Sequence, residues 1–179
     1  MTAFLFVQTA FNYHDVALIV DGKIQKHWHI DEQRQTLKFL SGILPELHDL
    51  VFDHIVFVQG PGSFTALRVG ATWVNTLAYT RNVLIKNIST LDYLELAAPE
   101  EPIITFDEKH YFLRSGSEII VITEKPKNKF IHYAEDHFIS FGYPEDYLPQ
   151  KLTDYIYPEP VMTTDVLYVI PPKITLPTK

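Results

Sequence analysis

The sequence predicts an α/β protein organised on a central sheet, and three observations carry that prediction. His54 to Gln59 is an apolar run in which Ile55, Val56, Phe57 and Val58 leave no polar side, the pattern of a strand buried on both faces. Gly60-Pro61-Gly62 turns the backbone directly after it, because glycine accepts positive φ and proline fixes its own. An opening series of strand-like segments then gives way to alternating helical and strand-like ones.

Taken in order, Ala3 to Thr9 reads as a first strand, and Asp15 to Val20 as a second. The second meets a third, Lys23 to Ile30, across Asp21-Gly22, a two-residue type I′ hairpin signal. By period 2, Ile24, Trp28 and Ile30 share one face of the third strand, with Lys23, Gln25, His27 and His29 on the other, polar face. A helix is expected from about Gln33 to Leu50, with Leu37, Leu40, Leu44 and Leu47 in register and a bend near Gly42 to Pro45.

Beyond the buried strand, Ser63 is placed to cap a helix running from Thr65 to Thr80. Leu67, Ala71, Val74 and Ala78 share one face of it, and Ala66, Gly70, Trp73 and Leu77 a second. A helix apolar on two faces needs two partners: its own sheet is one, and the other is another helix or another protein. Val83 to Asn87 continues as a strand, and Ser89-Thr90-Leu91-Asp92 opens a short helix in capping-box fashion. Pro99-Glu100-Glu101-Pro102 marks a boundary, dividing the chain into units 1–98 and 99–179. In the second unit, Ile103 to Asp107, His110 to Arg114 and Glu118 to Thr123 read as strands and Pro126 to Lys129 as a basic turn. A short helix around Tyr147 to Ile156 and a last strand, Val166 to Ile170, complete it.

The chain's 179 residues, 46% of them hydrophobic, suffice for one domain or two small ones. No apolar stretch reaches membrane-spanning length and the first residues lack a signal-peptide pattern, so a soluble, cytoplasmic protein is expected. The absence of Cys excludes disulfides and thiolate metal sites. A formal net charge of −7 argues against direct grip on a nucleic-acid backbone, which needs clustered Lys and Arg.

The run Gly60-Pro61-Gly62-Ser63-Phe64-Thr65-Ala66-Leu67-Arg68-Val69-Gly70 resembles the signature of the bacterial TsaB (YeaZ) family, relatives of TsaD, which attaches threonylcarbamoyl to an adenosine of tRNA. Ala66 departs from the glycine expected there. The resemblance is firm over about residues 52 to 94 and extends more thinly to both sides, with Phe106-Asp107, Tyr111-Phe112 and a Tyr168 to Pro172 ending as its later echoes. It implies a ribonuclease-H-like first unit, the fold of the actin, sugar-kinase and heat-shock ATPase superfamily, followed by a shortened, strand-rich second half.

ATP-using members of that superfamily end their first strand in Asp, whereas this chain has Gln8-Thr9-Ala10 followed by the bulky Phe11-Asn12-Tyr13. A neutral amide is a poor partner for Mg²⁺, so no nucleotide cofactor is expected. Phosphate binding by a Walker or G-x-G-x-x-G loop is excluded by the residues themselves. TsaD carries a His-x-x-x-His metal motif that this sequence lacks. His27 and His29, with Asp31 or His14 as a third ligand, read instead as two solvated histidines, and no metal is assigned. Ser63 reads as a cap rather than a nucleophile, and Arg68 either leans back to hold loop carbonyls, the favoured reading, or points at a partner carboxylate.

The resemblance therefore implies a non-catalytic subunit that pairs with TsaD through helices of its first half and touches tRNA only through that complex. The motif loop is Gly60, Pro61, Gly62, Ser63, Phe64, Thr65 and Arg68; the interface is assigned to Leu37, Leu40, Leu44, Ala66, Gly70, Trp73 and Leu77. Self-pairing into a homodimeric scaffold, and a small kinase or ATPase of the same superfamily, are the alternatives.

Overall fold

The computed structural model describes residues 2–32, 34–97, 104–107, 110–115, 118–124, 131–132 and 147–167. Strands β1 (Ala3–Gln8), β2 (His14–Val20), β3 (Lys23–Ile30), β4 (His54–Val58) and β5 (Leu84–Ile88) form one sheet in the order β3-β2-β1-β4-β5. The first three are antiparallel neighbours, while β4 and β5 join parallel to β1. Asp21 and Gly22, at φ 47° and 76°, make the tight turn between β2 and β3 that the two-residue loop demands.

Helix α1 (Thr36–Leu47) carries the chain from β3 to β4, and α2 (Phe64–Arg81) from β4 to β5. Both lie on one face of the sheet, where Phe57 of β4 comes under Gly70 of α2. α3 (Thr90–Ala97) covers the other face, with Phe6 of β1 stacked on Tyr93 at 5.4 Å. β1 and β4 are thus fully buried, which explains their unbroken apolar runs.

α1 is shorter than expected: Arg34 takes positive φ just before it, and the helix runs through Pro45 but ends at Leu47. Its last carbonyls, which no helical amide can reach, accept hydrogen bonds from Arg81 Nη2, Leu47 O at 2.7 Å and His48 O at 3.1 Å. α2 ends on Asn82 in the left-handed conformation. At α3 the expected cap forms, the Asp92 amide donating to Ser89 Oγ at 3.1 Å while that hydroxyl donates to the Asp92 carboxylate at 2.5 Å.

The described part of the second half contains a sheet of order β8-β7-β6-β9, from β6 (Ile104–Asp107), β7 (His110–Ser115), β8 (Glu118–Ile122) and β9 (Ile131–His132), and helix α4 (Tyr147–Asp154). Arg114 of β7 bonds Asp92 and Glu95 of α3, the latter at 3.0 Å, and α4 packs on α3 and β3. The chain then returns to the first sheet: Val161 exchanges two 2.8 Å backbone hydrogen bonds with Ile85 on the outer edge of β5. Val166 and Leu167 are described but are not in a strand, so the expected final strand is not formed there. Its remainder, the Tyr168 to Pro172 ending, Pro99 to Pro102 and the Pro126 to Lys129 turn lie outside the described residues.

Candidate functional site

The signature loop sits where the parallel strands end. Gly60 takes φ 113°, as a residue free of Cβ can, and precedes a cis peptide to Pro61. Gly62 has an ordinary backbone and is needed for a different reason. A Cβ there would lie 2.4 Å from the carbonyl oxygen of Ala10, because the loop is pressed against the turn that follows β1. The Ser63 amide donates to that same carbonyl at 2.8 Å. Ser63 does occupy the N-cap position of α2, yet its hydroxyl makes no capping bond, so the expected side-chain cap is corrected to a backbone clasp.

Arg68 differs from its sequence reading in the same way. It is exposed and stretches over the Phe64 ring at 5.4 Å, a cation–π contact on the helix surface rather than a hold on loop carbonyls. What holds the loop is backbone: Gln59 N–H to Ile88 O at 3.0 Å, Thr90 N–H to Gly60 O at 2.8 Å and Leu167 N–H to Gln59 O at 2.8 Å.

Gln8, where superfamily ATPases carry Asp, is wholly buried at the end of β1. Its Oε1 accepts the Phe11 amide at 3.2 Å and its Nε2 donates to the Tyr13 carbonyl at 3.4 Å, so both ends of the amide are spent on closing the turn. Phe11 and Tyr13 stack at 5.4 Å within it, and Phe11 also meets Tyr93. The turn after β1 is thus filled with aromatic side chains and tied by an uncharged one.

The residues assigned to an interface separate into two groups. Leu40, Ala66, Gly70, Trp73 and Leu77 are all buried within the chain itself, where α1 packs against α2 and α2 against the sheet. Gly70 faces the sheet, where a Cβ would lie 2.3 Å from Thr9 Oγ1 and 3.3 Å from the Phe57 ring. The physical demand for a second partner is met internally. Leu37 and Leu44, two turns apart on α1, remain 65% and 44% exposed. Leu37 also borders a cleft of about 520 Å³ between the starts of α1 and α2, lined by Phe11, Arg34, Ser63, Thr65 and Val69 among others.

The surface of α2 beyond this cleft is less polar than its sequence. Thr72 and Thr76 donate their hydroxyls to the carbonyls of Arg68 and Thr72 at 2.8 and 2.9 Å, which turns the hydrogen-bonding capacity inward. Tyr79 stands 82% exposed at the far end of the same helix.

His14 and the His27/His29 pair are separated by the sheet. His14 is buried on the α1 side, its Nε2 2.8 Å from Thr36 Oγ1, and burial lowers its pKa. His27 and His29 instead converge on Asp15 of β2, a fully buried carboxylate that the sequence reading did not consider, with Asp31 on the outer side of His29. The hydrogen bond to Asp15, opposed by partial burial and helped by Asp31, pushes the pKa of His29 up to about 9.

With this geometry in hand, comparisons with known proteins agree on one neighbourhood. Residues 46–107 match the family model described as TsaD: tRNA N6-adenosine threonylcarbamoyltransferase. No curated protein matches the chain significantly. Among solved structures it is similar to YeaZ from Pseudomonas aeruginosa, at 19% identity and a TM-score of 0.58, over 74% of this chain and 75% of that one. It is also similar to "an uncharacterized protein with similarity to peptidase YEAZ from Pseudomonas aeruginosa", at 21% identity and a TM-score of 0.53, over 69% of this chain and 65% of that one.

The five-stranded sheet with its crossing helices is a ribonuclease-H-like fold. On that fold, the signature at Gly60 to Gly70, the matched segment and both neighbours liken this chain to TsaB (YeaZ) proteins.

Proposed function

We propose that this chain is a non-catalytic, cytoplasmic TsaB-like subunit that pairs with a TsaD-like threonylcarbamoyltransferase, and that the partner performs the chemistry on tRNA. The observation that carries the non-catalytic part is Gln8. An uncharged amide replaces the carboxylate that would organise Mg²⁺, and its donor and acceptor are already engaged by Phe11 and Tyr13. The match of residues 46–107 to a threonylcarbamoyltransferase family supports the assignment to this modification system. The net charge of −7 supports an indirect relation to tRNA.

Burial of Leu40, Ala66, Gly70, Trp73 and Leu77 confines the pairing surface to the outward side of the same two helices. Leu37 and Leu44 of α1 form its apolar centre, the cleft beside Leu37 accepts a side chain from the partner, and the methyl-bearing Thr72 and Thr76 of α2 extend it.

The test is co-expression with the TsaD of the same cell, followed by size-exclusion chromatography with light scattering and by calorimetric titration with Mg-ATP. A one-to-one complex and no ATP turnover by the isolated chain are expected. Micromolar ATP binding with turnover sinks the subunit reading in favour of an enzyme, and a stable homodimer that ignores TsaD sinks it in favour of a self-paired scaffold.

A further inference from the structure

We propose that Asp15, His27 and His29 form a binding site for a divalent transition-metal ion, with zinc the ion best suited to the donors. This site does not depend on the pairing with TsaD. In the register of β2 and β3, Asp15 stands opposite His29 and Ala17 opposite His27, so both imidazoles and the carboxylate project from the same face of the sheet. This is the face covered by α3 and α4, away from the surface proposed for the partner.

The convergence is tight. His27 Nε2 and His29 Nδ1 both lie 2.8 Å from a single oxygen, Asp15 Oδ1, and one donor atom from each of the three residues falls within 4.8 Å of the others. Four ligands placed tetrahedrally at about 2.0–2.1 Å from zinc are about 3.3 Å apart, so an opening of about half an ångström admits the ion. Two imidazoles and one carboxylate are ligands that zinc takes in open sites, with one position left to water. The side chains of His27 and His29 are 26% and 32% exposed, which gives an ion access from solvent.

Two further features fit a ligand site better than a simple ion pair. Asp15 has no exposure, and its second oxygen, Oδ2, has no hydrogen-bond partner among the described residues, an uncompensated buried acceptor that a cation would satisfy. His29 Nε2 lies 2.9 Å from Asp31 Oδ1, so an outer carboxylate holds the ring with Nδ1 turned toward Asp15. An acid behind a histidine ligand is the arrangement that fixes tautomer and ring angle at zinc sites.

The experiment uses the full chain, purified without a polyhistidine tag and stripped with chelator, titrated with zinc chloride by calorimetry and with cobalt chloride by visible absorption. Expected are one equivalent of zinc, ligand-field bands of four- or five-coordinate cobalt, and a melting temperature raised by zinc. His27→Gln and His29→Gln should each weaken binding by more than about tenfold, Asp31→Asn by about tenfold, and the exposed control His48→Gln not at all. Circular dichroism checks the fold of each variant; the exposed Asp31 keeps the test informative should a histidine variant unfold. Absence of saturable binding to the native chain, or binding that survives both histidine substitutions and Asp31→Asn, overturns the proposal and leaves the trio as an ion-paired cluster only.

Discussion

Replacing Gly62 by alanine tests whether the signature loop is a close-packed joint. The backbone of Gly62 is not in the left-handed region, so no conformational strain arises from the substitution itself. The added methyl would meet Ala10 at 2.4 Å to its carbonyl oxygen, 2.7 Å to Cβ and 2.8 Å to Cα. These are main-chain and first side-chain atoms that cannot rotate away. Restoring an ordinary contact of 3.4 Å moves the two turns about 1 Å apart, which stretches the 2.8 Å bond from Ser63 N–H to Ala10 O beyond hydrogen-bonding distance. Overpacking costs about 1–3 kcal/mol and the lost bond about 1 kcal/mol, together about 2–4 kcal/mol. For a chain of this size that lowers the melting temperature by on the order of 10 °C. Gly42→Ala supplies the contrast: nothing lies within 4 Å of its Cβ position, and the exposed helical site should gain about 0.5–1 kcal/mol. Circular dichroism melting of both variants is the assay. Gly62→Ala melting at or above the native temperature would refute the packing argument, whatever Gly42→Ala does.

Gln8→Glu keeps shape and exchanges the Nε2 donor for a buried charge facing the Tyr13 carbonyl; it should cost about 2–4 kcal/mol at pH 7, less at acid pH where the carboxyl protonates, and confer no Mg-ATP binding, all readable by denaturant titration and calorimetry. Leu37→Glu combined with Leu44→Glu should leave the melting temperature within about 2 °C of native and weaken association with TsaD at least about tenfold in a binding titration, since both side chains are outside the core. His54 is stacked on Phe4 at 5.3 Å and its pKa is lowered from 6.5 to about 4, first by burial and then by Lys86, with Asp53 opposing. The unfolded chain therefore takes up a proton that the folded one refuses, and His54's contribution, complete above pH 6.5, is lost as pH falls toward 4. His14, lowered likewise, adds in the same direction; His54→Gln should flatten this limb in urea titrations between pH 7 and 4.5.

Much of the first sheet was legible because its signals are local. A two-residue Asp21-Gly22 turn leaves the chain no choice but a hairpin, and four consecutive apolar residues in β4 have no solvent side to show. The two apolar faces of α2 were also readable, but periodicity says that a face must be covered and not by what. Within this chain α1, whose buried side carries Leu40, Ile43 and Leu47, packs against α2, and the face that the sequence reading assigned to a partner is buried. Asp15 was hidden for a sharper reason. Continuing the pairing of Val20 with Lys23 and Ile19 with Ile24 places Asp15 opposite Trp28, on the wrong face for the histidines. A register shift between Leu18 and Ile19 brings it opposite His29 instead. One irregular residue pair thus decides whether the histidines are solvated or clustered, and nothing in the local sequence announces it.

In open α/β sheets, ligands favour the crevice beyond the carboxyl ends of the parallel strands, here the ends of β1 and β4. That place is occupied by the protein's own chain. Ser63 reaches Ala10 on the β1 side, Gln59 and Gly60 bond Ile88 and Thr90 on the β5 side, and Leu167 closes over Gln59 from the returning segment. Each bond uses an amide or carbonyl that a phosphate or metal-bound water would otherwise engage. The glycines of the signature serve this closure: Gly60 by its positive φ, Gly62 by having no side chain where the β1 turn presses in. A loop built from the same residue types as a phosphate cradle therefore acts as a joint between three segments, and this joint sets the start of α2 and the cleft beside Leu37. Conservation of shape at that corner would matter to a subunit that must present its helices at a fixed angle, which is the role proposed for this chain.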